Sequence, residues 1–270
     1  MPIKTEFTTE QRIRTSVLPN HGKTYTVIPH GYIIDETRKE LQAAGFEVSK
    51  EIYKTNLNGE VAQGIYHLNY GNDQDMGLMF AWSNSYNKMM KFKCAVGAQV
   101  FICMNGVVSG DLSNYARKHT GNALQEATDT IRHQIANAKM YYDQLVKDKD
   151  MLKDITLTKS QQAAIVGQLL IEQDILTLSQ VGIVKRELET PTYTYNAPAD
   201  SAWTLYNHIT LALKDSHPMS YLSDHQKLHG FFVDQYGNIK KYVQPELDFT
   251  EVTEEKQVTN FEAANGVIFL

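Results

Sequence analysis

The chain has 270 residues, 42% of them hydrophobic and 21% charged, and a formal net charge of −5. That balance excludes an intrinsically disordered chain, and two cysteines are too few for a disulfide scaffold. The opening MPIKTEFTTEQRIRT lacks the apolar core of a signal peptide, and no apolar run approaches the roughly 20 residues of a membrane span. A cytoplasmic protein with no membrane partner is therefore expected.

In chain order, Tyr25 and Val27 open a strand that Pro29 interrupts. Asp35 is then placed to cap a helix through ETRKELQAAG, with Gly45 as its stop. Residues 46–54 alternate as a strand, Asn58-Gly59 is a strong hairpin signal, and 61–70 form the return strand. Leu78, Phe80 and Trp82 share one side of a further strand, and Met90, Phe92 and Cys94 repeat the alternation. Residues 95–104 read as another strand, with Asn105-Gly106 as a second tight turn and Val107-Val108 as a short return.

After Gly121 the period changes from two to about 3.6. Leu124, Ala127, Ile131, Ile135, Ala138, Tyr142 and Leu145 recur at threes and fours, which predicts one long amphipathic helix to about 149. A second helix carries Ala164, Ile165, Gln168, Leu169, Glu172, Ile175 and Leu178 and completes a hairpin. The charged positions Lys147, Asp148, Lys149, Asp150, Lys153 and Asp154 are expected at its solvated tip. The first stripe is wide enough to engage a second copy, so a homo-oligomer is expected. Residues 190–201, with Pro191 and Pro198, read as a surface strap. Ser201 caps a helix containing Trp203, Leu205, Tyr206, Ile209 and Leu213, and a further helix spans 224–233. The reading is thus an α+β protein, mainly antiparallel sheet with a long helical hairpin and C-terminal helices packed on it. One domain occupies 1–245 (sheet-rich 25–108, hairpin 123–180, helices 201–235), and 246–270 form an acidic tail.

The charge is unevenly spread. From 84 to 120, Lys88, Lys91, Lys93, Arg117 and Lys118 stand against one acid, Asp111. From 246 to 262, Glu246, Asp248, Glu251, Glu254, Glu255 and Glu262 stand against Lys256. The tail masks a basic region that can bind anions and can compete for it intramolecularly.

Within that region the residue types suit a single-stranded nucleic acid. Lys88, Lys91, Lys93, Arg117 and Lys118 would contact phosphates, Tyr86 and Tyr115 would stack on bases, and Asn84, Asn87 and Asn105 would orient turns or bases. The plainer reading of the same residues is a solubilised sheet face and a helix cap. Catalytic signals are absent: there is no phosphate-binding glycine loop, nucleophile elbow or paired CxxC. Cys94 and Cys103 read as buried, inert thiols; a catalytic pair would need a base brought beside one of them, for which His119 is a candidate. His225 and His229 are four apart and share a helix face, and with Asp224 they are the candidate metal ligands. The segment HQKLH lacks the glutamate of a zinc protease, Asp215 and Asp224 alone do not specify a two-metal site, and no cofactor is expected.

The order of these motifs resembles a known family. SNSYN at 83–87, Gly97, VFICMNG at 100–106, Gly110-Asp111 and RKHTG at 117–121 are followed by an aromatic helix, WTLYN, at 203–207. In this order they resemble the phage/plasmid-like family of unknown function numbered 932, over about residues 25–235. The resemblance implies a source in phage, plasmid or integrated elements of bacteria and supplies no reaction. The expected function is a non-catalytic protein that binds single-stranded nucleic acid during phage or plasmid DNA processing. Two alternatives stand beside it: a protein-binding, anti-defence or virion-associated component, and a metal-dependent nucleotide or nucleic-acid enzyme using the 215–229 cluster.

Overall fold

The computed structural model describes residues 5–20, 25–102, 105–108, 113–114, 122–216 and 218–236. Its strands form one antiparallel sheet: β1 (Thr5–Thr8), β2 (Val48–Asn56), β3 (Val61–Leu68), β4 (Met76–Ser85), β5 (Lys93–Val100), β6 (Asn105–Val108) and β7 (Ser113–Asn114). The first six lie side by side in chain order, and β7 pairs with the start of β5. The helices among the described residues are α1 (Glu10–Arg14), α2 (His30–Ala43), α3 (Ala123–Ala136), α4 (Ala138–Lys153), α5 (Lys159–Ile171), α6 (Leu178–Glu189), α7 (Ala202–Ala212) and α8 (Pro218–Tyr236). A 3-10 turn at Leu213–Asp215 links the last two. The α+β class read from the sequence is the fold observed.

Adjacent strands pair because short turns return the chain. Between β2 and β3, Gly59 N donates to the Asn56 carbonyl at 3.0 Å and Val61 N donates to Asn56 Oδ1 at 3.0 Å. Gly59 has φ +71°, which only glycine adopts without strain. Every residue of β4 is buried, because both faces of the sheet are covered at its centre. On the first face Leu78, Phe80, Trp82, Val96 and Ala98 meet α3, α4 and α7, with α2 packed on α3. On the second face Ile65, Met79, Ala81, Ala95 and Val108 form a smaller cluster with Tyr221 and Leu222 of α8. Further along, α8 rejoins the main core through Leu228, Phe231 and Phe232.

Several local expectations are corrected. The first long helix is two, broken at Asn137, whose side-chain amide donates to the His133 carbonyl at 2.9 Å and so competes with the helical ladder. Its apolar stripe is spent inside the chain: Ala127, Ile131, Ile135, Ala138, Tyr142 and Leu145 are all buried, so it leaves no argument for a second copy. The charged tip is solvated only in part, at Lys147, Asp150 and Asp154. Asp148 and Lys149 are buried, Lys149 pairs with Asp73, and Lys153 Nζ lies 2.5 Å from Asp75, which fastens α4 to the β3–β4 loop. The second helix stops at Ile171 and α6 starts anew at Leu178, each opened by a capping box (Thr158 with Gln161, Thr177 with Gln180). No strand forms over residues 25–27. Asp35 lies inside α2, which starts directly after Pro29, and pairs with Arg14 at 2.6 Å instead of capping. Asn105 and Gly106 are not a turn. They open β6 opposite Val100 and Gln99.

Candidate nucleic-acid interface

Alternation along the strands sends chemically different rows to the second face of the sheet. One row crosses five strands through direct partners: Phe7, Lys54, Gln63, Ser83 and Lys93. At about 4.8 Å per strand it spans roughly 19 Å. The next row, Ile52, Ile65, Ala81 and Ala95, is apolar and lies in the cluster that Tyr221 and Leu222 join. Beyond it come Lys50, His67, Met79, Gly97 and Val108. Met79 and Val108 of that row join the apolar seam on which α8 is seated, so the polar groups flanking it are the Lys54–Lys93 row on one side and Lys50 and His67 on the other.

Where α8 does not cover the face, a cleft of about 420 Å³ remains open. Lys50, Lys54 and Lys214 bring three ammonium groups to it, against one carboxylate, Asp215. Lys54 Nζ sits 5.0 Å from the Phe7 ring centre and 5.7 Å from that of Tyr221. Burial lowers the Lys54 pKa and Lys214 lowers it further, with Asp215 opposing. An incoming anion would relieve that penalty by adding to the single counter-charge of Asp215. The Phe7 ring is 75% exposed and offers a free face for stacking. His67, pushed down to about 4 by burial and by Lys50, is neutral at physiological pH and can donate or accept a hydrogen bond.

The covered part of the face carries unusual polar groups. Lys93 Nζ donates to Ser223 Oγ at 2.8 Å, and burial lowers its pKa although Asp224 opposes. Asp224 is itself raised by burial, against hydrogen bonds from Ser220 and Ser216. Gln63 Nε2 and Ser83 Oγ are buried without partners. Each such group costs about 1–3 kcal/mol, so the row is maintained at the expense of stability.

The residues singled out from the sequence do not all meet there. Lys93 does. Tyr86 and Asn84 have interior partners instead: Tyr86 is buried and stacks on His30 at 3.8 Å between ring centres, and its hydroxyl accepts from His30 N at 2.7 Å. Asn84 Nδ2 donates to the Ile28 carbonyl at 2.9 Å and lies 3.1 Å from His30 Nδ1. Together they lock the entry to α2 onto β4, and neither presents a face to a base. Asn87 does orient a turn, its Oδ1 accepting from Met89 N at 3.2 Å. Lys88 is exposed with its Nζ 4.9 Å above the Tyr25 ring, and Lys91 is also exposed. Only the backbone of Asn105 is described, while Tyr115, Arg117, Lys118, His119, Cys103 and the acidic tail lie outside the described residues. Cys94 is a buried free thiol whose pKa burial raises.

The metal candidates point apart. His229 Nε2 meets Asp148 Oδ2 at 3.0 Å, whereas His225 is sealed against the second face beside the Tyr221 ring, 4.4 Å away. Neither nitrogen of His225 reaches hydrogen-bond geometry, although the Gly106 backbone lies close enough to favour its charged form. Burial nonetheless drives its pKa to about 3. Among the described residues no three histidine, cysteine or carboxylate side chains are grouped to hold a metal, and no helix is long and apolar enough to cross a membrane.

These features define a single-sheet α+β protein whose second sheet face is basic and partly covered by its last described helix. By sequence the chain belongs to the family Domain of unknown function (DUF932), whose model matches residues 17–228. Searches of curated proteins and of solved structures return no significant match. The family match agrees with the resemblance read from the motifs, and it assigns no reaction.

Proposed function

We propose that this chain is a non-catalytic binder of single-stranded nucleic acid, acting in phage or plasmid DNA processing in the cytoplasm of a bacterial host. The observation that carries the reading is the convergence of Lys50, Lys54 and Lys214 with an exposed Phe7 ring and the side chains of His67 and Gln99 in one open cleft. Lysines that track a backbone and an aromatic that stacks on bases are the parts of a sequence-tolerant single-strand site. A flexible single strand can follow the cleft past the α8 wall, whereas a rigid duplex lacks a groove-filling element to receive it. The basic segment 84–120 adds Lys93 to the same face.

The test is a titration of short labelled DNA, single-stranded and duplex, at low salt. Single strands are expected to bind and to resist competition by duplex. Absence of binding, with a protein co-purifying from infected or plasmid-bearing cells, would favour the protein-binding component instead. That second reading draws on Ile171 and Leu178, which are 80% and 79% exposed.

A further inference from the structure

The open cleft stops where α8 begins to cover the sheet, but the polar row continues beneath it. Lys54, Gln63, Ser83 and Lys93 are consecutive cross-strand partners. Both ends of this row are touched by the first turns of α8: the Tyr221 ring centre is 5.7 Å from Lys54 Nζ, and Ser223 Oγ accepts from Lys93 Nζ at 2.8 Å. Between them Gln63 and Ser83 are each 1% exposed, and Gln63 Nε2 and Ser83 Oγ have no partner. A helix that only sealed this face would set apolar groups over apolar positions. Tyr221 and Leu222 do so on the neighbouring row, against Ile65, Ala81 and Ala95. The Lys54–Lys93 row has the opposite character, with cations at its ends and an amide and a hydroxyl at its centre. Cations are what phosphates require, and neutral donors are what base edges and sugars require.

The two halves of α8 are also held unequally. The later half is set in the main core by Leu228, Phe231 and Phe232, the first half on the small second-face cluster by Tyr221 and Leu222. Resting on the single-strand reading above, we infer that the row Lys54, Gln63, Ser83 and Lys93 is a covered subsite for the bases of a single strand, opened when the first half of α8 lifts from the sheet. The strand enters from the open cleft, where Lys50, Lys54 and Lys214 hold its backbone, and displaces the Lys93–Ser223 contact. Gln63 and Ser83 then gain the hydrogen bonds they lack in the closed state.

The decisive variant is Gln63→Leu with Ser83→Ala, which removes both neutral groups and no charge. It is expected to melt at a higher temperature than wild type, because two unpartnered polar groups leave the interior. It is also expected to bind short single-stranded DNA about fivefold more weakly at fixed salt, with an unchanged salt slope because no phosphate contact is lost. A second variant, Ser223→Ala, releases the tie between α8 and the sheet and should bind about threefold more tightly, since the open state becomes more populated. Wild-type affinity in the Gln63/Ser83 variant overturns the subsite, and so does a lower melting temperature. Unchanged affinity in Ser223→Ala overturns the lifting of α8. If wild type itself binds no oligonucleotide, the reading of the whole face fails; if wild type binds and the Gln63/Ser83 variant binds equally, only the subsite fails.

Discussion

Acidification should destabilise this protein well before its carboxylates titrate, through two buried histidines. His30 lies under Tyr86 and beside Trp82, fully buried, and His225 is sealed against the second sheet face. Burial lowers both from the ordinary 6.5 to about 3. The unfolded chain therefore takes up each proton first. Stability is complete above about pH 6.5, falls as the pH drops below it, and the loss saturates only as the pH passes the folded values near 3. At about pH 5 each histidine withdraws about 2 kcal/mol, from 1.36 kcal/mol per pH interval over about one and a half intervals. The pair withdraws about 4 kcal/mol, a large share of the roughly 5–15 kcal/mol that holds a typical domain. His67, which is more open to water, and the buried His208, with Glu187 opposing, are lowered by burial as well and add to the loss. Asp224, raised by burial, opposes the trend because the folded state keeps its proton more readily. Carboxylates held low by cations, Glu10 by Arg38 and Asp35 by Arg14, lose stability only below about pH 4.5, where their unfolded forms titrate. Urea unfolding followed by circular dichroism between about pH 7.5 and pH 5, at constant ionic strength, reads the effect directly. His30→Asn should be less stable at neutral pH and should lose about 2 kcal/mol of the decline between neutral pH and pH 5. A urea midpoint unchanged over this range, at constant m-value, would show that neither histidine is held neutral by the fold.

Two further substitutions test the corrected roles of residues. Lys149→Met strips Asp73 of its ammonium partner while Lys153 remains for Asp75. Because Asp73 keeps its hydrogen bonds from Asp75 N and Met76 N, the expected loss is about 2–3 kcal/mol in chemical denaturation, below that of an isolated buried pair; a change under about 0.5 kcal/mol would restore the solvated-tip reading. Tyr86→Leu removes the ring stacked on His30 and the acceptor for His30 N, and should cost about 2–3 kcal/mol in stability while leaving oligonucleotide affinity unchanged. Weakened binding at unchanged stability would return Tyr86 to the ligand.

The sheet was legible because its cues are local. Alternation at Leu78, Phe80 and Trp82 and the Asn58-Gly59 turn fix β2, β3 and β4 without knowledge of anything distant. The starts of α5 and α6 were legible too, but the signal lay in capping, not periodicity. Thr158 and Thr177 each stand three residues before a glutamine, whereas the apolar repeat continues through the break between α5 and α6. Asn105-Gly106 misled because dipeptide chemistry cannot say which side of a turn it occupies. The site was half visible. Lys50 and Lys54 share a parity on β2, as do Gln63 and His67 on β3, so each strand by itself shows a polar second face. What the sequence could not show is that Lys214 and Tyr221, about 150 residues later, close over that face and make a cleft of it. Nor could it show that Asn84 and Tyr86 would be spent on His30, since a polar segment reads as exposed until its partner is known.

Binding of a single strand by the lysines of the second sheet face is read most directly from its salt dependence. Each phosphate contact to a single strand contributes about −0.7 to the slope of log affinity against log salt, so Lys50, Lys54 and Lys214 together predict a slope of about −2. Replacing Lys54 and Lys214 by glutamine should weaken binding at low salt and reduce the slope to about −0.7. A wild type whose dissociation constant for short single-stranded DNA exceeds about 100 µM at low salt, or a slope that the double substitution leaves untouched, would contradict the account.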